Sequence, residues 1–557
     1  MSPRILAIPT AIYLLFAPGI ASHASELSAP REHPEFVLVS FESDAGIVLR
    51  GNRFTGSNIP EIEILNDLLE SLSLVELRDL ISVERRRALR GIVRGANAKF
   101  SERSIDLSRH FVIELAGGVD GRDVAALLRA ETIVERAEIS MAYPPPGACI
   151  IPTDPNAVDR ISQGQWYLFR TEHDRAWADA CGDGVVIADC DAGYQTDHWE
   201  LDDNFIVSFR EDFADLDAPL DVDDGIFRYH GTAVTGIMSA ESNGLEIAGG
   251  AHESKVIPLQ YYNYDGTDDI SFEEGVANCV AGAILLDPDI IVLEAQYGGS
   301  AERIPGVSDL VAGAVAGGIH VVAAAGNYST LLDYEQSNFT GSVIVGALDV
   351  SDDSAYFTNY GPRVDVAAAG ESQYTTTTSS GFTPDFGGTS GATPVVVGAV
   401  ANIVQLDPTA TPEEVRTTLR ATSHPLDTYR EVGGMVNAHG ALHGVVGDRA
   451  TLSLYPEQLS AAQGSSTTFD VALFNGGVSP VDVEIRVDLY LPNGNPHPGN
   501  PFMGPQSTVL PAGMAVNAEI SADVPAFAPV GEYRAVAIMD AVLGGEIDRD
   551  ELAATVF

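Results

Sequence analysis

The chain has 557 residues, 45% of them hydrophobic and 20% charged, a composition that argues against a largely disordered chain. At ~150 residues per domain, this length allows about three or four domains. The chain carries 79 acidic and 31 basic residues and a formal net charge of −48. This charge argues against nucleic acid or an anionic membrane as a partner, because phosphate groups are bound by Lys and Arg.

The first 24 residues have the parts of a secretory signal peptide. Arg4 gives a basic start, the stretch ILAIPTAIYLLFAPGIA is apolar, and Ser22-His23-Ala24 resembles a cleavage site. No later stretch reaches ~20 uninterrupted apolar residues, so we expect no membrane span. The protein is therefore predicted to be secreted, into the extracellular space or the periplasm.

Export would place the four cysteines where disulfide bonds can form. These cysteines are Cys149, Cys181, Cys190 and Cys279. Four cysteines allow three pairings, and the sequence favours none of them. Cys190 lies in an apolar strand pattern and Cys279 in a helical one, so both also fit the interpretation of plain core thiols. No CxxC motif or His-rich cluster with zinc spacing is recognised, and metal ligands are left unassigned.

Residues 25–150 are predicted to form a small α/β domain. FVLVSF (36–41) has the pattern of a strand, and HFVIEL, DVAALLRA and VERAEISMAY have those of a strand, a helix and a strand. The segment PPPGACIIPTDPN (144–156) has linker composition and marks the predicted boundary.

Residues 151–445 alternate apolar strands such as VVIADCDAG and IHVVAAAGN with helical segments such as HGTAVTGIMSA. This alternation predicts an α/β fold with a doubly wound, mostly parallel sheet and helices on both faces. Functional groups collect at the carboxyl ends of the strands in such sheets. Asp191 and Asn327 both stand at the end of an apolar strand.

Residues 446–557 change to segments of period two, including STTFDVALFN and VDVEIRVDLYLP, separated by Gly, Pro and Asn turns. This pattern predicts an antiparallel β-sandwich. The segment shows no aromatic stripe or ligand cluster that would indicate a partner.

The stretch FGGTSGATPVVVGAVANIV places Ser390 between small residues at the predicted start of an apolar helix. Glycines at 387, 388 and 391 allow a tight turn and leave the hydroxyl uncrowded. Such a serine fits either a helix N-cap or a nucleophile. The choice depends on whether the chain also supplies a base, an orienting acid and an oxyanion donor.

The α/β region supplies one candidate for each of these groups. His230 in YHGTAV lies at a predicted helix start, Asp191 ends a buried strand, and Asn327 in AAAGN is an uncharged donor at a strand end. Each residue alone fits a cap or a turn. Their common position at strand-to-helix junctions, in the order Asp, His, Asn, Ser, favours catalysis by a serine nucleophile.

These segments resemble the subtilisin-like serine peptidases (subtilases, peptidase family S8). The similar motifs are DAGYQTDHWEL, the histidine segment beginning HGTAVTGIMSA, VVAAAGN, GGTSGATPVVVGAVA and VNAHGAL, within residues 160–445. The resemblance implies that Ser390 is the nucleophile, His230 the general base, Asp191 the orienting carboxylate and Asn327 the oxyanion donor. It also implies a substrate-binding strand edge and a primary specificity pocket, formed by Gln296, Tyr297, Gly298, Gly299, Ala324, Ala325 and Gly326.

Several residues depart from the family pattern or compete with the assigned roles. Asp189 is an alternative triad acid and His198 a competing histidine, although only Asp191 keeps the family spacing and His198 lacks the Gly-Thr context. Gly391 stands where the family usually has Met, and Gln296-Tyr297 stands where it has Ser-Leu. We therefore expect the substrate-binding subsites to differ in shape from those of the family. Glu294 beside the strand edge fits either a preference for basic substrates or a solvent-facing or paired carboxylate.

The resemblance also gives the first domain a role. The segment from RHFVIEL to the triple proline resembles the inhibitory propeptides of the family, which implies a self-inhibited precursor cleaved within 144–165. The basic run at 85–87 fits a processing site or a solvated helix face. The loop ADLDAPLDVDDG (214–225) fits a structural Ca²⁺ site or a solvated acidic loop.

Together these features predict a secreted serine endopeptidase that needs no cofactor, acts on polypeptides and uses its own propeptide as an intramolecular inhibitor. One alternative is a catalytically silent binding or scaffold protein on the same fold. Another is an adhesive protein in which the C-terminal sandwich is the main functional module.

Overall fold

The chain is described by a computed structural model that covers residues 31–557, except 42–46, 51–52, 57–58, 72–73, 80–109, 116–120, 143–148, 150, 160, 162–163, 214–226, 263–269, 305, 334–339, 448, 457, 478 and 543–544. The predicted signal peptide, the basic run at 85–87 and the acidic loop 214–225 therefore lie outside the described residues. So does part of the segment in which cleavage is predicted.

The N-terminal unit is a four-stranded antiparallel sheet accompanied by a hairpin and helices. Its elements are β1 (Arg31–Phe41), β2 (Val48–Arg50), β3 (Arg53–Thr55), α1 (Ile59–Ser71), β4 (Leu74–Asp79), β5 (His110–Leu115), α2 (Gly121–Leu128) and β6 (Val134–Ala142). The strands are ordered β4-β5-β1-β6. Phe41, Phe54 and Phe111 meet edge to face in a core that both helices cover.

The central unit contains an eight-stranded parallel sheet and a hairpin. Its strands are β7 (Val186–Asp191), β8 (Glu211–Asp212), β9 (Lys255–Gln260), β10 (Ile290–Leu293), β11 (His320–Ala324), β12 (Val343–Leu348), β13 (Val366–Ala369), β14 (Gln373–Thr377), β15 (Gly381–Phe386) and β16 (Gly434–Met435). The sheet order is β16-β13-β12-β11-β10-β7-β9-β8, and β14 pairs with β15.

The central strands of this sheet are mostly apolar because both faces of the sheet are covered. In β10, Ile290 and Val292 belong to one core, whereas Ile291 and Leu293 belong to the other. Successive side chains of a strand point to opposite faces, so a doubly covered strand needs apolar residues at every position.

Helices cover both faces of the sheet. They are α3 (Trp166–Arg170), α4 (His173–Ala176), α5 (Arg228–Ser239), α6 (Phe272–Leu286), α7 (Val307–Ala316), α8 (Thr389–Leu406), α9 (Pro412–Thr422) and α10 (Ala438–Val446), with short 3₁₀ turns at Val207–Phe209 and Ala301–Arg303. Side chains of α5, α8 and α10 pack into one core, and those of α6 and α7 into the other. The predicted doubly wound α/β fold is thereby confirmed.

Helix α8 runs through the centre of the first core. Among the described residues it is the one helix long and apolar enough to cross a bilayer, and 94% of that stretch is buried inside the protein. Its apolarity is accounted for by this packing against the sheet and the neighbouring helices.

The C-terminal unit consists of strands in two sheets, as predicted. They are β17 (Ala450–Tyr455), β18 (Gln458–Ala461), β19 (Ser466–Asn475), β20 (Val481–Tyr490), β21 (Met503–Leu510), β22 (Ala515–Asp523), β23 (Gly531–Ala541) and β24 (Glu546–Val556). The sheet orders are β17-β19-β22 and β18-β24-β23-β20-β21. The prediction of antiparallel pairing is wrong for one pair, because β18 runs parallel to β24, whereas the other pairs are antiparallel. Inward side chains such as Leu452, Val471 and Met539 share one core between the sheets. The residue boundaries of the four predicted segments stay a prediction.

One of the three cysteine pairings is selected by the structure. Cys149 and Cys181 form a disulfide that joins the end of the linker to the central unit. Cys190 and Cys279 are buried free thiols, in agreement with their interpretation as core residues.

Candidate active site

The candidate site lies at the carboxyl ends of three neighbouring strands. Asp191 is the last residue of β7, Glu294 directly follows β10, and Asn327 lies just beyond β11. Leu293 pairs with Cys190 in parallel register, so the next residues along both strands, Glu294 and Asp191, are neighbours. The sheet therefore brings Asp191 beside Glu294, which lies more than 100 positions later in the sequence.

Asp191 and His230 form a hydrogen-bonded pair. His230 lies in the first turn of α5, and its Nδ1 is 2.7 Å from Oδ1 of the fully buried Asp191. The Ala192 amide donates to the same carboxylate oxygen. Burial of His230 lowers its pKa, but the charge and hydrogen bond of Asp191 outweigh burial and raise this pKa above its ordinary value of 6.5. This arrangement holds His230 with its Nε2 available to a reacting group.

The competing acid and histidine occupy other positions. Asp189 is fully buried inside β7, where burial and the neighbouring charge of Asp191 raise its pKa well above the ordinary value. His198 is also buried; its Nε2 lies 3.1 Å from the Gly381 carbonyl oxygen, and its Nδ1 accepts a hydrogen bond from the Glu200 amide. His198 therefore fits a structural role, and Asp191 is the carboxylate that contacts His230.

Ser390 is the second residue of α8 and not its N-cap. The N-cap is Gly388, which makes no side-chain capping bond, and helical geometry begins at Thr389. Ser390 is 2% exposed and lies at the positive end of the helix dipole. This position leaves the Ser390 amide without a partner four residues earlier in the helix, as an oxyanion donor requires.

The amide of Asn327 is oriented by Thr389. Its Oδ1 accepts hydrogen bonds from the Thr389 amide at 2.9 Å and from the Thr389 hydroxyl at 3.0 Å. Because the oxygen is held by these donors, the Nδ2 amide points away from them. The loop after β11 is fixed to the same threonine, since the Gly326 amide donates to Thr389 Oγ1.

Gln296 links the serine to the asparagine, a contact that sequence reasoning missed. Its Oε1 accepts from the backbone N–H of Asn327 at 3.0 Å, and its Nε2 donates to Ser390 Oγ at 3.5 Å. The sequence had placed Gln296 only on a substrate-binding edge. The signal that could have found this role is its position two residues after the buried Glu294, at the end of a central strand.

A cavity of about 270 Å³ joins these groups. One part of its wall carries the polar residues His230, Ser390, Glu294 and Gln296, and most of the rest is aromatic. The other lining residues are Ala192, Phe227, Tyr229, Tyr261 and Tyr328. His230 and Ser390 thus face one space that can hold a reacting group.

Glu294 is a buried carboxyl in this wall. It is 2% exposed, and both of its oxygens are shielded from solvent. Burial and the charges of Asp191 and Asp189 raise the pKa of Glu294 well above its ordinary value, and a contact with Ser390 opposes this only in part. The interpretation of Glu294 as solvent-facing is therefore wrong, because its carboxyl is buried in the wall of the cavity.

Gly391 has a partner that explains its departure from the family. The buried Gln373 of β14 donates from Nε2 to the Gly391 carbonyl oxygen at 2.9 Å. A Cβ atom at position 391 would lie 1.8 Å from Gln373 Oε1. The side chain of Gln373 thus occupies the space that a Met at this position would need.

The predicted substrate-binding residues differ in exposure. Tyr297 and Gly298 are exposed, whereas Gly299 is buried beside Arg303. Ala324 and Ala325 have no exposed surface and belong to the sheet core. They could therefore support the residues that line a pocket but could not line it themselves. Their assignment to a specificity pocket stays a prediction, and so does the Ca²⁺ site in 214–225, which lies outside the described residues.

The chain is similar to several known proteins. Residues 182–447 match the model of the Subtilase family, Peptidase_S8. An extracellular protease of Xanthomonas campestris pv. campestris is 29% identical over 305 residues, 48% of this chain and 52% of that protein. A thermophilic serine proteinase of Bacillus sp. strain AK1 is 32% identical over 249 residues, 44% of this chain and 58% of that protein.

Thermitase of Thermoactinomyces vulgaris is 29% identical over 295 residues, 52% of this chain and 99% of thermitase. The chain thus spans only about half the length of the first two relatives, 52% and 58%, but nearly all of thermitase. A solved protease structure from Pseudoalteromonas arctica PAMC 21717 is 25% identical, with a TM-score of 0.44, and covers 53% of this chain and 100% of its own. Residues 182–447 therefore form a domain of the subtilase family.

Proposed function

We propose that the chain is a serine endopeptidase that hydrolyses peptide bonds in polypeptides. The observation that carries this proposal is the buried Asp191–His230 pair at 2.7 Å, facing the same cavity as Ser390. A buried carboxylate costs several kcal/mol unless it is paired, so a fold that keeps one beside an accessible imidazole favours a catalytic role for both.

The proposed reaction proceeds through an acyl-enzyme. Ser390 Oγ attacks the substrate carbonyl carbon while its proton passes to His230 Nε2, and Asp191 stabilises the imidazolium through Nδ1. His230 then gives the proton to the leaving amine. A water molecule, deprotonated by the same imidazole, attacks the ester carbonyl and releases the second product.

The tetrahedral intermediates need donors for the developing oxyanion. The Asn327 Nδ2 amide and the Ser390 backbone amide are the proposed donors. The contacts of Thr389 with Asn327 support this assignment, because a donor held in place before the reaction costs no reorganisation. Gln296 contacts both residues that supply these donors, because it accepts from the backbone N–H of Asn327 and donates to Ser390 Oγ.

The protein is further proposed to be secreted as a self-inhibited precursor. The antiparallel sheet and helices of the N-terminal unit have a core of their own, as an independently folding inhibitor would require. One of the similar proteins is named an extracellular protease. Cleavage within 144–165 would break the backbone between this unit and the catalytic domain.

The activity is tested with a fluorophosphonate probe on the purified full-length chain, its Ser390→Ala variant and the control Ser465→Ala in the sandwich. Labelling and casein hydrolysis are expected in the wild type and the control, and in neither assay for Ser390→Ala. Absence of serine-dependent labelling in processed protein would favour the silent scaffold.

Processing is tested in the same samples. Mass spectrometry should find a cut within 144–165 in the wild type and an intact chain in Ser390→Ala. Cleavage of the purified Ser390→Ala variant at the same bond would show that maturation does not depend on this serine.

A further inference from the structure

Two histidines of α10 lie on one face of that helix, away from the active site. His439 and His443 are four residues apart, which places them one helical turn from each other. Their rings are 4.6 Å apart between centroids and are inclined by 73°. Both rings are buried, with side-chain exposures of 6% and 1%.

A carboxylate approaches each of these imidazoles. His443 Nε2 is 3.2 Å from Oδ2 of Asp179, which lies just after α4. His439 Nε2 is 3.5 Å from Oδ2 of Asp548 in β24 of the sandwich. The ligand atoms of Asp179, His439 and His443 all lie within 4.8 Å of one another.

These separations match the edges of a small metal polyhedron. Ligand atoms about 2.0–2.1 Å from a tetrahedral Zn²⁺ stand roughly 3.3–3.4 Å from one another. The separation of 3.2 Å between His443 and Asp179 is close to that edge. In addition, neither buried ring nitrogen of His439 has a hydrogen-bond partner of normal geometry among the described residues.

A cation could reach these histidines only if the site is open to solvent and if the neighbouring arginines leave a ligand free. The Asp179 side chain is 32% exposed, so an ion could reach the histidines from solvent on that side. Arg449 donates to both oxygens of Asp179 at 3.2 Å, but its side chain is 34% exposed and can turn outward. Asp548 is engaged by Arg175, which leaves it as a neighbour of the site and not a required ligand.

We propose that Asp179, His439 and His443 bind one divalent transition-metal ion of the Zn²⁺ class at the boundary between the catalytic domain and the sandwich. Imidazole nitrogen and carboxylate oxygen suit Zn²⁺, Co²⁺ and Ni²⁺ better than Ca²⁺, which takes six to eight oxygen ligands. The ion joins the last helix of the catalytic domain to the segment after α4. A water molecule or Asp548 completes its coordination.

The test uses full-length protein carrying Ser390→Ala, which prevents autolysis, after removal of bound metals with a chelator. Co²⁺ is titrated in and followed by visible absorption, with Zn²⁺ as competitor. The variants are His443→Gln and Asp179→Asn. The matched control is His497→Gln, a histidine in a loop of the sandwich, far from α10 in sequence.

We expect one equivalent of Co²⁺ with the intense visible bands of low coordination, displaced by Zn²⁺, and an increase in thermal stability. Each ligand variant should bind at least about 10-fold more weakly, whereas the control binds as before. Absence of stoichiometric Co²⁺ binding overturns the proposal, and so does binding that both ligand variants retain. If His443→Gln does not fold, Asp179→Asn decides alone, because Asp179 is partly exposed.

Discussion

Arg175 provides the strongest test of how the sandwich is held to the catalytic domain. This residue of α4 donates to both oxygens of Asp548 at 3.0 and 3.1 Å and to the backbone oxygens of Leu452 and Arg549 at 3.0 Å. It also donates to Glu172, the residue that directly precedes α4. Its side chain is only 16% exposed. Replacing Arg175 by Met therefore leaves buried carboxylates without their cation.

The size of the effect follows from the charge that Asp548 keeps. Burial raises the pKa of Asp548, but the contact with His439 and the charge of Arg175 outweigh it and lower this pKa from 3.8 to about 2. At about 1.4 kcal/mol per pKa unit, this shift corresponds to about 2 kcal/mol at neutral pH. The loss of Glu172's partner adds to this, so we expect a total loss of about 3–5 kcal/mol, the usual cost of removing one member of a buried ion pair.

The pH dependence has a definite sign. Asp548 has a lower pKa in the folded state than in the unfolded state, so its stabilisation is present above about pH 4 and is lost as the pH falls toward 2. The difference between wild type and Arg175→Met should therefore be largest near pH 7 and smaller at pH 3.

The assay is urea unfolding in the Ser390→Ala background, followed by tryptophan fluorescence. Trp177 lies two residues from Arg175 and is buried, so it reports on this region. The control is Arg534→Met, because Arg534 and Glu551 form an exposed pair, which is worth about 0.2–1 kcal/mol. The reasoning is refuted if Arg175→Met stays within about 1 kcal/mol of the parent at pH 7, or if the loss is the same at pH 3.

Three further predictions concern the active site. Asn327→Ala should lower kcat by about 10²–10³, the range measured for one oxyanion donor in a subtilisin, with little change in KM; a selective rise in KM in steady-state assays would contradict the assigned role. Gly391→Met should cost about 1–3 kcal/mol in urea unfolding, and adding Gln373→Ala should recover part of it, whereas simple additivity would refute their steric coupling. Glu294 has a higher pKa in the folded state than in the unfolded state, so a protein with Glu294 loses stability as the pH rises above about 4.5. Glu294→Gln should therefore stabilise the Ser390→Ala protein by an amount that grows with pH. Thermal melts in which this gain does not depend on pH would contradict the raised pKa.

Much of the fold and the positions of the candidate catalytic groups in it could be predicted because their signals are local. A strand buried on both faces favours a mostly apolar run, which marks β7, β10 and β11 directly in the sequence. Asp191, His230, Asn327 and Ser390 each stand at a junction between such a run and a turn or helix. The spacing around each residue then identifies the segment without knowledge of its distance from the others.

The features that escaped prediction depend on contacts between distant segments. Gln373 and Gly391 are on different elements, and only packing shows that one fills the space left by the other. The spacing of His439 and His443 is visible in the sequence, but Asp179 lies about 260 residues earlier. Likewise, the burial of Glu294 depends on its neighbours across the sheet and not on its own segment.

The Cys149–Cys181 disulfide determines what a single cut in the linker can release. Hydrolysis before residue 149 frees the N-terminal unit and leaves a mature chain whose new end is anchored by the bond. Hydrolysis between 150 and 165 breaks the backbone but keeps the two fragments covalently joined through sulfur. In that case the N-terminal unit remains tethered at high local concentration until a second cut or a reductant frees it. Electrophoresis with and without reductant therefore distinguishes a cut that releases the N-terminal unit at once from a cut that leaves it joined by the disulfide.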